Sequence, residues 1–102
     1  MEETLEAAAR RELQEETGYL ARRLKPIGTF YSSPGVLTER MFAFAAYDLK
    51  RTETALEDGE EIEVQRASMD EAVDMIRTGL ITDAKTIATL LMYDKFHRDQ
   101  AR

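Results

Sequence analysis

The chain has 102 residues, 20 Asp and Glu against 14 Lys and Arg, a formal charge of -6 and no cysteine. That length supports one core burying about 60 to 70% of the unfolded surface. The missing thiols exclude disulfides, thiolate catalysis and Cys-ligated metals, and they fit a reducing, cytoplasmic setting. The acidic balance opposes neutralisation of nucleic-acid phosphates, so no nucleic-acid partner is expected. No apolar run is long enough to span a bilayer, and MEETLEAAAR has no apolar signal region, so no membrane partner is expected either. An acidic protein can still act on phosphates through divalent cations.

Residues 4–17 are dense in Ala, Leu, Glu and Arg, with Gly18 placed as a left-handed cap, and predict a first helix. Two aromatic and apolar runs, 24–31 and 40–49, predict strands joined by SSPGVLTE. The acidic stretch TETALEDGEE leads into IEVQRA, where the alternation of Ile62 and Val64 predicts a third strand. SMDE then reads as a capping box, with the Ser68 hydroxyl accepting from the Glu71 amide while Glu71 reaches back. A short helix with Ala72, Val73 and Ile76 on its apolar face follows and ends at Gly79. Residues 83–98 carry Ile87, Leu90, Leu91 and Phe96 at helical spacing and predict a last helix. The order helix, strand, strand, strand, helix, helix gives an α+β domain. Internal repeats and linkers are absent, so residues 1–102 are read as one unit.

The first helix ends in RELQEETGY, where Glu12, Glu15 and Glu16 stand at i, i+3 and i+4. Counted at about 100° per residue, Glu12 and Glu16 fall in the sector of Ala8, Ala9 and Leu13, with Glu15 at its edge. Glu6, Arg10 and Gln14 fall broadly opposite. Three neighbouring anions near a helix C-terminus cost stability, and Arg11 offsets only part of that cost. A cation held by carboxylate oxygens would relieve the repulsion, and Mg²⁺ or Mn²⁺ suits such ligands. A solvated acidic face answers to the same residues. His97, the single histidine, reads as a solvated helix end, and the scattered methionines read as core filler.

The box resembles that of the Nudix hydrolases. Glu3, then TLEAAAR, then Arg11, Glu12, Leu13, Glu15, Glu16 and Gly18 fall at the family's positions, with Tyr19 where an aliphatic residue is usual. Pro34, fifteen residues after Tyr19 in SSPG, together with EEIEV, SMDEAVDMI and GLITDAKTIATLL, is similar to the ADP-ribose pyrophosphatase branch. The resemblance implies water attack on the pyrophosphate of a nucleoside diphosphate derivative, ADP-ribose or another nucleotide sugar, with Mg²⁺ or Mn²⁺. It implies Glu12 and Glu16 as principal metal ligands and Glu15 as a further or water-mediated one. Arg11 would hold a box carboxylate, Glu3 would support the site, and Ser33 and Pro34 would shape a substrate loop; the acidic loop EDGEE would supply the general base from Asp58, Glu60 or Glu61, with Glu60 favoured.

The family's box opens with a glycine six residues before Glu3, and this chain starts at Met1. The resemblance therefore implies a partial fold, the C-terminal portion of a Nudix domain without its first strands. A three-stranded remnant would expose an edge and an apolar face, which invites a homodimer or swapped oligomer using residues 40–49 and 83–98. A catalytically impaired remnant, kept as a metal-binding or protein-interaction module, is the alternative.

Overall fold

The computed structural model describes residues 3–33, 37–52 and 63–101. Along the chain run α1 (Leu5–Thr17), β1 (Tyr19–Ser33), β2 (Leu37–Arg51), α2 (Met69–Arg77), α3 (Ala84–Phe96) and a 3₁₀ turn (Arg98–Ala101). The architecture is α+β, as expected. The strands form one two-stranded sheet, antiparallel because so short a connection permits nothing else.

Local chemistry accounts for the helix ends. Thr4 caps α1, its hydroxyl accepting from the Ala7 N–H at 3.0 Å. At the other end Gly18 takes φ 78°, a left-handed conformation that glycine adopts without a Cβ penalty, and its N–H donates to the Gln14 carbonyl at 2.9 Å. The capping box of α2 forms as read: the Glu71 N–H donates to Ser68 Oγ at 3.1 Å, and the Ser68 N–H donates to Glu71 Oε1 at 3.2 Å. Beyond α2, Gly79 adopts φ 84°, and the Leu80 and Ile81 amides close onto the Met75 carbonyl. Asp83 caps α3, accepting from both the Thr86 N–H and its hydroxyl at 2.9 Å, and these bonds hold its carboxyl below the ordinary value.

Two strand expectations need correction. Both strands of the hairpin run well past the expected 24–31 and 40–49. The extra length is made from charged residues that lie along aromatic rings: the Arg23 guanidinium is 4.5 Å from the Tyr47 ring centre, and Arg51 is 5.7 Å from Tyr19. Polarity at Arg22 and Arg23 masked this part of β1 in the sequence. The third strand expected from IEVQRA is absent over residues 63–67, where Val64 is half exposed; Ile62 lies outside the described residues. Alternation supplies a face, but a strand also needs a backbone partner.

The contacts divide the chain into two compact units, Met1–Lys25 with Ala46–Gln65, and Pro26–Ala45 with Arg66–Arg102. The first contains α1 and the outer part of the hairpin. Among its described residues the buried apolar one is Ala21. The second contains the turn-proximal part of the hairpin with α2 and α3, and buries Ile27, Ala43 and Ala72. There Gly28 gives α3 room, because a Cβ at this position would come within 2.8 Å of Met92 Sδ. His97 corrects the reading of a solvated helix end: it is half-buried, and its Nε2 lies 3.0 Å from the Ile27 carbonyl oxygen. Arg98 ties the ends of α2 and α3, donating to Asp70 at 2.7 Å and to Asp94 at 2.9 Å. Beside these contacts a cavity of about 220 Å³ stays open, lined by Ile27, Phe44, Met69, Leu90 and Tyr93 among others.

Candidate functional site

The acidic box lies on α1 inside the first unit, together with Glu3. Arg11 is its organising cation. Its Nε donates to both carboxylate oxygens of Glu3, at 3.2 and 3.0 Å, and one terminal nitrogen donates to Glu3 at 3.0 Å. The other terminal nitrogen donates to Glu15 at 3.2 Å, one helical turn on. These bonds, that to Glu3 above all, raise the Arg11 pKa, and the Arg11 guanidinium holds the Glu3 carboxyl below its ordinary value.

The bracket separates the three box acids. Glu15 is half-buried and engaged by Arg11. Glu12 reaches Arg11 only at 4.0 Å, and Glu16 makes no ion pair or hydrogen bond among the described residues. Glu12 and Glu16 stand one turn apart on one face of the helix, so their carboxylates can approach a common point. Among the described residues no three His, Asp or Glu side chains already converge as a metal cluster. The donor chemistry nevertheless fits a hard divalent cation. Mg²⁺ typically takes one or two carboxylates and completes its shell with water and phosphate oxygens, which a pair such as Glu12 and Glu16 can supply.

The roll of α1 differs from the expected one. Helical counting placed Glu12 and Glu16 on the buried stripe, but both are exposed. The shielded side is Ala9, Arg10, Leu13, Gln14 and Thr17, with Ala8 and Glu15 half-buried on the other flank. No residue of α1 is fully buried, so its small apolar stripe exerts little hold on the roll. Polar bonds link it to its surroundings. The Arg10 guanidinium donates to the Ala21 carbonyl of β1 and to Glu6 Oε1 at 2.9 Å. At the helix exit, the Thr52 hydroxyl donates to the Gly18 carbonyl at 2.8 Å, and the Thr52 amide donates to the same oxygen. Sequence reading passed over Arg10 and Thr52, since neither belongs to a motif and their partners are distant in sequence.

The remaining expected site residues divide simply. Ser33 ends β1, in the second unit. Pro34 and Glu60, like Asp58 and Glu61 beside the latter, lie outside the described residues. No helix among the described residues is long and apolar enough to cross a membrane.

Comparison with known proteins agrees with the family resemblance. A family model described as the NUDIX domain matches residues 1–90. The chain is 39% identical over 83 residues to an ADP-ribose pyrophosphatase of Bacillus subtilis (strain 168), covering 79% of this chain and 45% of that protein. It is 40% identical over 95 residues to a GDP-mannose pyrophosphatase of Yersinia pestis (strain Pestoides F), covering 90% of this chain and 48% of that one. The chain thus spans about half the length of the curated relatives it matches. Among solved structures, the crystal structure of an ADP compounds hydrolase superposes with a TM-score of 0.85 over 98% of this chain and 54% of that chain, at 23% identity, a likeness of fold.

Proposed function

Because the chain belongs to the NUDIX domain family, we propose that it is a Mg²⁺- or Mn²⁺-dependent hydrolase that adds water across the pyrophosphate of a nucleoside diphosphate derivative, ADP-ribose or a similar nucleotide sugar. The observation that carries this reading is the bracket around Arg11. By engaging Glu3 and Glu15 it leaves Glu12 and Glu16, one turn apart, available to hold a cation. Relatives named ADP-ribose pyrophosphatase and GDP-mannose pyrophosphatase support the substrate class.

In this reading Glu12 and Glu16 are the principal metal ligands. Glu15 orients Arg11 or adds a water-mediated contact, and Glu3 fixes the guanidinium from the first turn. When bound, the cation supplies charge neutralisation at the phosphates and lowers the pKa of the attacking water. Glu60 accepts that water's proton, and Ser33 and Pro34 shape the loop that meets the substrate. Residues 1–102 act as one portion of the catalytic domain, in the cytoplasm, and pair as a homodimer or swapped oligomer that covers apolar surface on 40–49 and 83–98.

The test is release of AMP and ribose 5-phosphate from ADP-ribose, and of GMP and mannose 1-phosphate from GDP-mannose, with and without Mg²⁺. Wild type is expected to turn over one of them only with metal, and Glu16→Gln to fall to background. A folded wild type with no metal-dependent turnover on either substrate or on a wider dinucleotide panel sinks the enzyme reading. The alternative is an impaired remnant serving as a metal-binding or interaction module. It predicts Mn²⁺ binding without hydrolysis.

A further inference from the structure

We propose that Arg10, which lies in the stretch TLEAAAR between Glu3 and Arg11, is a positioning residue that sets the roll of α1 and so aims Glu12 and Glu16; this rests on the metal-site reading above. α1 lacks a strong apolar hold on the rest of the chain. None of its residues is buried, Leu5 is 53% exposed, and its half-buried apolar residues are alanines and Leu13. Burial of so little surface does not discriminate strongly between one roll of the helix and another. Directional bonds do.

Arg10 supplies such a bond to a firm partner. Its guanidinium donates to the backbone carbonyl of Ala21, which at 2% exposure is the most buried of the core residues, and Glu6 holds the other side of the same fork at 2.9 Å. The fork is thereby clamped between its own helix and the strand. A planar group with two fixed partners resists rotation as a single ammonium does not. At the helix exit Thr52 bonds the Gly18 carbonyl. One tether near mid-helix and one at the C-terminus together define an axis and a roll. Around the helix Arg10 lies about 160° from Glu12 and about 120° from Glu16 at 100° per residue. It therefore grips the strand on one side while the two carboxylates point away, which matches their exposure.

Adjacent arginines thus divide the labour. Arg11 sorts the acids among themselves, and Arg10 sets the direction in which the remaining pair faces. Loss of Arg10 should loosen the roll without removing any metal ligand.

The experiment is a Mn²⁺ titration of the full chain, read by the electron paramagnetic resonance signal of free Mn²⁺, alongside amide hydrogen exchange of residues 10–17. Arg10→Ala is expected to bind Mn²⁺ about fivefold more weakly, the loss of one charge-assisted hydrogen bond partly exposed to water. Exchange is expected to quicken in α1 while α2 and α3 keep their rates. Arg10→Lys, which retains the charge and one donor but not the fork, is expected to fall between. Should Arg10→Ala fail to fold, Arg10→Lys decides: wild-type affinity and wild-type exchange overturn the inference. The same two results in a folded Arg10→Ala overturn it as well. A wild type that binds no Mn²⁺ defeats the metal-site reading, and with it the aiming role, whereas Mn²⁺ binding without hydrolysis defeats only the enzyme reading.

Discussion

Arg11 reaches three acids at once, and the unequal lengths of those contacts assign them different jobs. Glu3 takes the forked contact, Glu15 takes a single bond, and Glu12 is left at the limit of an ion pair. A planar guanidinium can satisfy two carboxylates on different sides, which a lysine cannot reproduce. The pairing also sets a pH dependence. The Arg11 hydrogen bond holds the Glu3 carboxyl below its ordinary value in the folded chain. A group so depressed contributes stability above its unfolded pKa, and the contribution is lost as pH falls through the folded value. Glu3→Gln should therefore melt below wild type at neutral pH, and the two curves should converge as the pH falls through the lowered folded pKa of Glu3, where its carboxyl becomes neutral like the amide. A gap in melting temperature that stays constant from neutral to acid pH would show that Glu3 acts by shape alone. The box acids and Arg11 could be read from spacing. Their division of labour could not, because it depends on which carboxylate reaches the fork.

The elements were most legible where their signals are local. Thr4, Gly18, Ser68 with Glu71, and Asp83 with Thr86 each act over three or four residues, and each sits at the end of a helix. Signals that need a distant partner were harder to read. Outer β1 pairs with β2, where Arg23 and Tyr19 meet Tyr47 and Arg51 across the sheet, and residues 63–67 are not a strand despite alternating. His97 reaches back seventy positions to the Ile27 carbonyl. Gly28 offers a test of packing at this scale. A methyl group there would meet the end of Met92, a flexible side chain that can yield. Gly28→Ala should cost about 1 kcal/mol with Met92 present. In a Met92→Ala background it should cost nothing or stabilise slightly, since replacing glycine restricts the unfolded chain. Urea unfolding of the four proteins in the cycle measures this coupling. Equal costs in both backgrounds would remove the close approach of Met92 as the reason for glycine.

At the scale of the whole molecule, burial among the described residues is sparse. The buried apolar residues among them are Ala21, Ile27, Ala43 and Ala72, three of them alanines. Larger apolar side chains remain open, with Leu80 at 75% and Phe96 at 67% exposure, and Phe42 and Leu91 near 40%. Methyl groups of alanine remove little area from water, so the hydrophobic contribution to stability is small for a chain of this length. Association that covers Phe42, Leu91 and Phe96 would add what the single chain lacks, which is the physical ground for the proposed dimer. Size-exclusion chromatography with light scattering should give about twice the chain mass of 11.7 kDa at micromolar concentration. Leu91→Glu together with Phe96→Glu should shift the species toward monomer and lower its melting temperature. A folded wild-type monomer of full stability would overturn the pairing.

By itself the sequence determined the α+β class, the helix ends and the acidic box with its family, because caps and box spacing are properties of neighbouring residues. The tertiary structure decided the reach of the hairpin, the absence of a strand at 63–67, the docking of His97 and the roll of α1. The docking of His97 and the roll of α1 involve polar groups bonded to another segment: Arg10 at the Ala21 carbonyl, Thr52 at the Gly18 carbonyl, His97 at the Ile27 carbonyl. A weak apolar stripe left the orientation of the carboxylates undetermined, and in the proposed account the bonds at the Ala21 and Gly18 carbonyls set it.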